Sequence, residues 1–522
     1  MRGLRRRTIA HIERGSHLIT QARPSSNSAS ILGVWIAALG LAILGVMVIT
    51  GSLKGLPPVA LFVTPIAALG MVVLANWRTG TYFFLTWLVV EDLPRKFLGN
   101  DMRLYFAKDV LAAILYLAFL AGLVRGRVPR LKARFLGPLL LFIAWGLLQA
   151  FNPESPSPVY GLLGLRMYFF YIPLLFVGYA LLRDERDLRR FLVFNLAVAV
   201  VIAGLGVVQG IVGLDFLNPR ELAPELTLAH YERQAPISGT LVPRSTSVFV
   251  SDARFAWYLL LMLLLGIGTV AYLLARRQGT RVAVASVGII AAAIVLSGSR
   301  GTFMYAVGST GVLAGAFLHI VGPRLRKRVG RVVTLGVTAV GLAVVALLAF
   351  YPEALGARWS WYYETIAPWS SESELAWRIW GYPVANFLGA FSFPGWPSGY
   401  GIGTSSLGVQ YVTGLLGLPD PGIAVESGYG TLILELGIIG PLLWLLWTGA
   451  LVREGWRMVR RLRGTPFFPV GFAILWFAFL LLFPFTFGGM QPYQNFVFNA
   501  YLWLLTGILF RLPSLPVIAG SR

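Results

Sequence analysis

The 522-residue chain has no cysteine and only four histidines. The first absence excludes disulfides and thiolate metal sites. The second, with His11 and His17 in the N-terminal tail, leaves little for a histidine metal cluster or a Ser-His-Asp set. Charge is scarce: 13% of residues are charged, while 57% are hydrophobic and the mean hydropathy is +0.72. A soluble protein of this length needs a more polar surface. Alternating lipid-out strands are absent, which argues against an outer-membrane barrel. No Walker or dinucleotide motif occurs, so neither ATP hydrolysis nor a nicotinamide cofactor is expected. No fixed-period repeat or inverted pair of broken helices is visible, which lowers the transporter reading.

What is present is a series of apolar runs long enough to cross a bilayer. They predict helices at about 30–50, 57–76, 80–93, 105–124, 135–151, 161–182, 190–213, 253–275, 281–298, 301–321, 331–351, 426–452, 467–487 and 493–511. The expected fold is an all-α polytopic membrane protein of about 14 spans (12–14), the third short enough to be re-entrant. The net charge of +22 suggests nucleic acid, but its distribution does not. With the basic N-terminus inside, 31 of the 44 Lys and Arg fall in alternate loops and tails on one side. That pattern encodes orientation, N-in and C-in, with contact to anionic lipid heads, and nucleic-acid binding is not expected. The organisation reads as a cytoplasmic tail at 1–29, helices over 30–351 with an outer loop at about 214–252, a large outer loop at 352–425, helices over 426–511 and a tail at 512–522. Eight tryptophans and tyrosines crowd residues 359–382, which argues against disorder there. Such rings suit either sugar stacking or an interfacial belt.

Ionisable residues on the outer half of the helices are Lys108, Asp109, Arg166, Arg244, Arg254, Arg300, Arg378, Glu426 and Glu435. Arg166 lies too deep to reach cytoplasmic water and should face a polar cavity or a partner such as Glu435 or Asp109. Several arginines converging on one cavity would suit a phosphate dianion or diphosphate, because guanidinium binds phosphate oxygens as a fork and stays charged. Structural roles compete at each position: an ion pair for Arg166, a solvated loop pair for Arg244 and Arg254, snorkelling for Arg300, and a helix cap for Glu426.

Five ordered motifs then acquire meaning: "GLRMYFFYIPLLFVG", "RSTSVFVSDARFAWYL", "LSGSRGTFM", "ELAWRIWGY" followed by "GYGIGTSS", and "ESGYGTLILELGIIGPLLW". In this order over about 105–510, the chain resembles the O-antigen ligase/polymerase superfamily of bacterial membrane glycosyltransferases. The resemblance implies a GT-C-like helical fold with a partly helical outer loop. It also implies transfer of a glycan from an undecaprenyl-diphosphate carrier to a glycan acceptor, on the outer face of the bacterial inner membrane, without a nucleotide sugar. A flippase and a chain-length regulator become candidate partners. Under the resemblance, Arg300, Arg244, Arg378, Arg166 and Arg254 are candidate diphosphate ligands, Arg300 also catalytic, and Trp377, Tyr400 and Tyr429 candidates for sugar or acceptor.

The ligase branch has a functional histidine where this chain has Glu426. That departure favours the polymerase branch, with Glu426 as base on, or positioner of, the acceptor hydroxyl. The alternatives are a ligase acting on lipid A–core or another acceptor, a lipid-linked glycan flippase, and a scaffold of an envelope complex. No cofactor is expected. A divalent metal at Glu91 and Asp92, or at the 372–374 "ESE", ranks below the metal-free reading.

Overall fold

The computed structural model describes residues 70–99, 102–126, 128–219, 231–320, 330 and 351–516. All lie within the compact unit Pro57–Arg522. The expected tail at 1–29, the helices at 30–50 and 331–351, most of the helix at 57–76 and the end of the last tail lie outside the described residues.

The described chain is helical almost throughout, with one two-stranded hairpin. Seven helices are long and apolar enough to cross a membrane: Ala107–Val124, Pro158–Leu181, Glu185–Val212, Asp252–Ala275, Arg300–His319, Phe468–Gly488 and Phe496–Ser514. Leu136–Gln149 and Arg281–Leu296 are apolar but shorter. Among the described residues these seven meet the length and hydropathy of a span, so the expected count of 14 is not confirmed. The expected third span is a 14-residue helix, Trp77–Val90, followed by the short Asp92–Phe97.

Two expected helices are each interrupted, for different reasons. Between Pro158–Phe169 and Leu174–Leu181, Pro173 supplies no N–H and crowds the preceding turn. The carbonyl of Phe170 is satisfied instead by the Tyr116 hydroxyl at 3.0 Å. Between Gly428–Leu436 and Ile439–Arg461, Gly437 turns the chain at φ 65°. There Trp145 Nε1 donates to the Leu436 carbonyl at 2.8 Å and Ile438 N to that of Pro397 at 3.1 Å. In a low-dielectric interior such breaks persist only where the freed groups find partners.

The core is aromatic. Trp444, Trp447, Trp503 and Tyr493 are fully buried and meet edge-on or stacked at 4.8–5.6 Å, joining Ile439–Arg461 to Phe496–Arg511. Phe496–Arg511 also crosses Leu174–Leu181 at backbone contact. A Cβ on Gly507 would stand 2.0 Å from the Leu175 carbonyl oxygen. Only a missing side chain permits that approach.

Charged side chains also join helix ends in the basic segments. Arg276 pairs with Glu185, Glu454 accepts the N–H groups of Arg134 and Phe135 at 3.1 Å, and Arg511 Nε donates to the Leu182 carbonyl at 3.1 Å. These are the basic segments that the sequence groups on one side.

Within the 352–425 segment lie Pro352–Ile366, a π-helical turn Trp377–Gly381 running into Tyr382–Gly389, and Val409–Leu416. The "GYGIG" stretch is a packed ribbon. Gly399, Gly401 and Gly403 hold φ of 81°, 97° and 94°, a region that glycine adopts without a steric penalty. The ribbon threads against Leu136–Gln149, Pro158–Phe169 and Gly428–Leu436, with Tyr400 N donating to the Leu434 carbonyl at 2.7 Å and Ser405 N to Glu435 at 2.9 Å.

Candidate functional site

The turn "LSGSRG" answers why small residues surround Arg300. Arg281–Leu296 ends at Ser297, Gly298 reverses the chain at φ 68°, and the next helix begins at Arg300. Ser299 sits before that helix, with its hydroxyl on Thr302 Oγ1 at 3.0 Å and its carbonyl accepting Phe303 N at 3.0 Å. A Cβ on Gly298 would meet the Arg244 side chain at 3.2 Å. A side chain at 298 would thus need Arg244 to give way by a few tenths of an ångström, at a φ that glycine adopts without strain.

Arg300 lines a cavity of about 950 Å³. Its guanidinium lies 4.5 Å from the centre of the Trp361 ring, whose Nε1 donates to the Gly298 carbonyl at 3.0 Å. Arg233, Arg244 and Arg378 share the cationic wall. Arg233 arrives on the hairpin, in which Glu232–Gln234 pairs antiparallel with Leu241–Pro243. The hairpin tip is held by Glu364, which accepts the N–H groups of Ile237 at 2.7 Å and Ser238 at 3.1 Å. Burial would raise the Glu364 pKa, but hydrogen bonds from the Ser238 side chain and from these two N–H groups outweigh it and hold the carboxyl below its usual range. Arg244 pairs with Asp252 at 2.7 Å.

Much of the remaining lining is apolar, including Phe479, Phe483, Pro484 and Phe487. Trp476, Phe479 and Phe483 form a stacked ladder at 5.3–5.4 Å, and the π-helical turn Leu481–Phe485 around Pro484 offsets the rings above it. Trp380 meets Phe487 edge-on at 6.0 Å, and Tyr429 closes part of the rim.

Among the described residues, Glu374 is the carboxylate that lines this cavity. Its Oε2 lies 3.2 Å from Arg300 Nη1 and accepts Arg378 Nε at 3.0 Å. Burial would raise its pKa, yet the Arg378 hydrogen bond and the charges of both arginines prevail and hold it low. Arg300 Nη1 is buried, and its close contact is the Glu374 carboxylate.

The five arginines singled out from sequence fall into two groups. Arg244, Arg300 and Arg378 face the cavity. Arg166 and Arg254 do not: Arg166 binds Asp109 through Nη2 at 2.7 Å and Nε at 2.9 Å, and Arg254 pairs with Asp92 and lies over Phe496 at 4.5 Å. The expected partner Asp109 is thus realised. Glu435 instead accepts from the Tyr168 hydroxyl at 2.7 Å. Glu91, Lys108 (2.9 Å) and Arg95 complete this second, buried ion cluster, and Lys96 Nζ ties it to Thr246 Oγ1 at 3.0 Å and to the Ser247 carbonyl at 2.8 Å.

Glu426 does not line the cavity. It is exposed, it accepts from the Tyr382 hydroxyl, and its N–H donates to Asn386 Oδ1 at 3.0 Å. Burial first, and then the Glu426 carboxylate, raises the Tyr382 pKa. Tyr382 lies under Arg378 at 5.0 Å, so Glu426 reaches the rim through one ring. The helix cap next to it is Ser427, whose side chain accepts Gly430 N. Trp377 covers Gly381 and meets Tyr382 edge-on at 6.4 Å, beside the cavity wall. Tyr400 is placed elsewhere, its hydroxyl accepting Gly395 N at 2.8 Å within the ribbon.

The acidic pairs considered for a metal have cationic partners: Glu91 and Asp92 in the ion cluster, Glu374 at the cavity. Among the described residues no group of three or more histidine or carboxylate side chains is arranged to hold a metal ion.

Two arginines at or beside the cavity escaped the sequence reading. Arg233 carried no motif, although its place in a long outer loop was a signal. Arg358 is 1% exposed and binds the ends of three elements: Nε to the Leu296 carbonyl at 2.9 Å, and Nη2 to those of Pro243 at 3.2 Å and Gly210 at 3.3 Å. Burial lowers its pKa to about 10, so it stays charged and pins Pro352–Ile366 over the cavity.

No protein-family model matches the chain, and no curated protein or solved structure matches it either.

Proposed function

We propose that the protein is a membrane glycosyltransferase that joins polyprenyl-diphosphate-linked repeat units into a polysaccharide, with the cavity on the extracytoplasmic side of a bacterial inner membrane. The carrying observation is the cavity's mixed lining: four guanidinium groups and a set of phenylalanines border one space of about 950 Å³. A ligand with a multiply charged phosphate head and an apolar tail satisfies both at once. The order of sequence motifs, which resembles the O-antigen ligase/polymerase superfamily, supports the same reading.

In this mechanism Arg300, Arg244 and Arg378 hold the diphosphate. The acceptor hydroxyl attacks the anomeric carbon while the bond to the phosphate oxygen breaks. Negative charge grows on the leaving phosphate, where fixed guanidinium groups in a partly dry site stabilise it most. Tyr429 and the Glu426–Tyr382 pair at the rim orient the acceptor.

The test is incubation of the reconstituted protein with a lipid-linked repeat unit. A ladder of longer lipid-linked products is expected. A single transfer to an acceptor lacking the lipid diphosphate would instead identify a ligase. Movement of intact donor between leaflets, with no bond made, would identify a flippase and overturn the reading.

A further inference from the structure

Glu374 occupies an unusual position for a carboxylate in an anion site. It sits on the two guanidinium groups that the proposed diphosphate needs, 3.2 Å from the buried Arg300 Nη1 and 3.0 Å from Arg378 Nε. Arg378 and Glu374 are one helical turn apart and about half exposed, at 52% and 44%. Exposed pairs of this kind are weakly held and exchange readily. A diphosphate carries more charge than one carboxylate and offers oxygens to both arginines, so it takes Glu374's place.

Resting on the function proposed above, we infer that Glu374 is a donor-released general base: the bound diphosphate displaces it from Arg300 and Arg378, and the freed carboxylate takes the acceptor's proton. The acceptor oxygen forms its bond to the anomeric carbon as its proton passes to Glu374. The bond between that carbon and the phosphate oxygen breaks, polyprenyl diphosphate leaves with the electron pair, and Glu374 returns its proton to water.

The arrangement links base strength to occupancy. While paired, the carboxyl is held below its usual range and is a poor proton acceptor. Once its cations are bound to phosphate, that depression is relieved. An empty site is thereby kept from activating hydroxyls. Glu426, exposed and tied to Tyr382 outside the lining, has no such link to the donor's binding groups.

The experiment uses the full chain in lipid nanodiscs and the variants Glu374→Gln and Glu372→Gln. Binding is read with inorganic pyrophosphate, and turnover with lipid-linked repeat unit. Glu374→Gln should bind pyrophosphate about two- to fivefold more tightly, because the internal competitor is gone. Its kcat should fall by roughly 10²–10⁴, and the acidic limb of the kcat–pH profile should vanish. Glu372→Gln removes the same charge from the same segment and should leave both measurements near wild type. A purely structural role would weaken binding and turnover together in Glu374→Gln and overturn the proposal. Normal turnover in that variant, with wild type active, overturns the base alone. Absence of any transfer by wild type sinks the transferase reading, and the base with it, while pyrophosphate binding still reads the displacement separately.

Discussion

Replacing Arg300 with alanine removes one guanidinium from the cavity while sparing the turn that presents it. The Ser299–Thr302 contact and the Trp361–Gly298 hydrogen bond involve no atom of the Arg300 side chain. The loss therefore falls on ligand binding. A charge-assisted hydrogen bond is worth about 1.5–3 kcal/mol, and partial exposure puts this site in the lower half of that range. At about 1.4 kcal/mol per decade, inorganic pyrophosphate should bind roughly 10–30-fold more weakly. Arg300→Lys keeps the charge but not the planar fork, nor the flat contact over Trp361, and should recover about half of that loss in free energy. The assay is calorimetric titration in nanodiscs at two salt concentrations, because partly exposed charges are screened. Binding by Arg300→Ala within twofold of wild type would remove Arg300 from the phosphate site, and with it the reasoning from the cationic wall.

Other outcomes follow from the same geometry. Arg254→Met strips Asp92 of its close partner within a buried cluster and should cost about 3 kcal/mol of stability while leaving pyrophosphate affinity unchanged; a shift in affinity would mean the two arginine groups are one site. Gly403→Ala would place a Cβ 1.9 Å from the Tyr160 carbonyl oxygen at a φ of 94°, and should lower the melting temperature in detergent, at about 3–4 kcal/mol; an unchanged melt would refute the packed ribbon. Glu426→Gln should leave pyrophosphate binding unaltered and raise KM for a glycan acceptor if the rim orients it; weaker pyrophosphate binding would contradict its place outside the lining. Glu364 has a folded-state pKa below its unfolded value, so its hold on the hairpin tip is complete above the ordinary carboxylate range and is lost as pH falls through the folded value. Hydrogen exchange at Ile237 and Ser238 should accelerate only in that acid range, and acceleration already near pH 6 would refute the assignment.

Much of the helical framework was legible along the chain. Runs such as 253–275 and 493–511 return as Asp252–Ala275 and Phe496–Arg511 because apolar length is a local property. The interruptions were partly legible too: Pro173 and Gly437 stand in the sequence as breakers, yet whether a break survives depends on partners such as Tyr116 and Trp145, which are distant along the chain. The "GYGIG" motif is visible in the sequence, but only the structure shows that its glycines serve close packing, Gly399 against Glu435 and Gly437, Gly401 against Gln149 and Gly403 against the Tyr160 carbonyl.

The division among the arginines marks the boundary most clearly. Arg166, Arg244, Arg254, Arg300 and Arg378 carry the same chemistry in the sequence, whether inside an apolar run, beside one or in an outer loop. Hydropathy and charge placement determined that the chain carries helices long and apolar enough to cross a membrane, with its basic segments grouped, because those quantities are sums over neighbours in the chain. Only the tertiary structure decided that Arg254 answers Asp92, 162 residues away, that Arg166 answers Asp109, 57 away, and that Arg244, Arg300 and Arg378 share one cavity with Glu374. Pairing of charges falls off within a few ångströms, so it is settled by which helix ends meet in space.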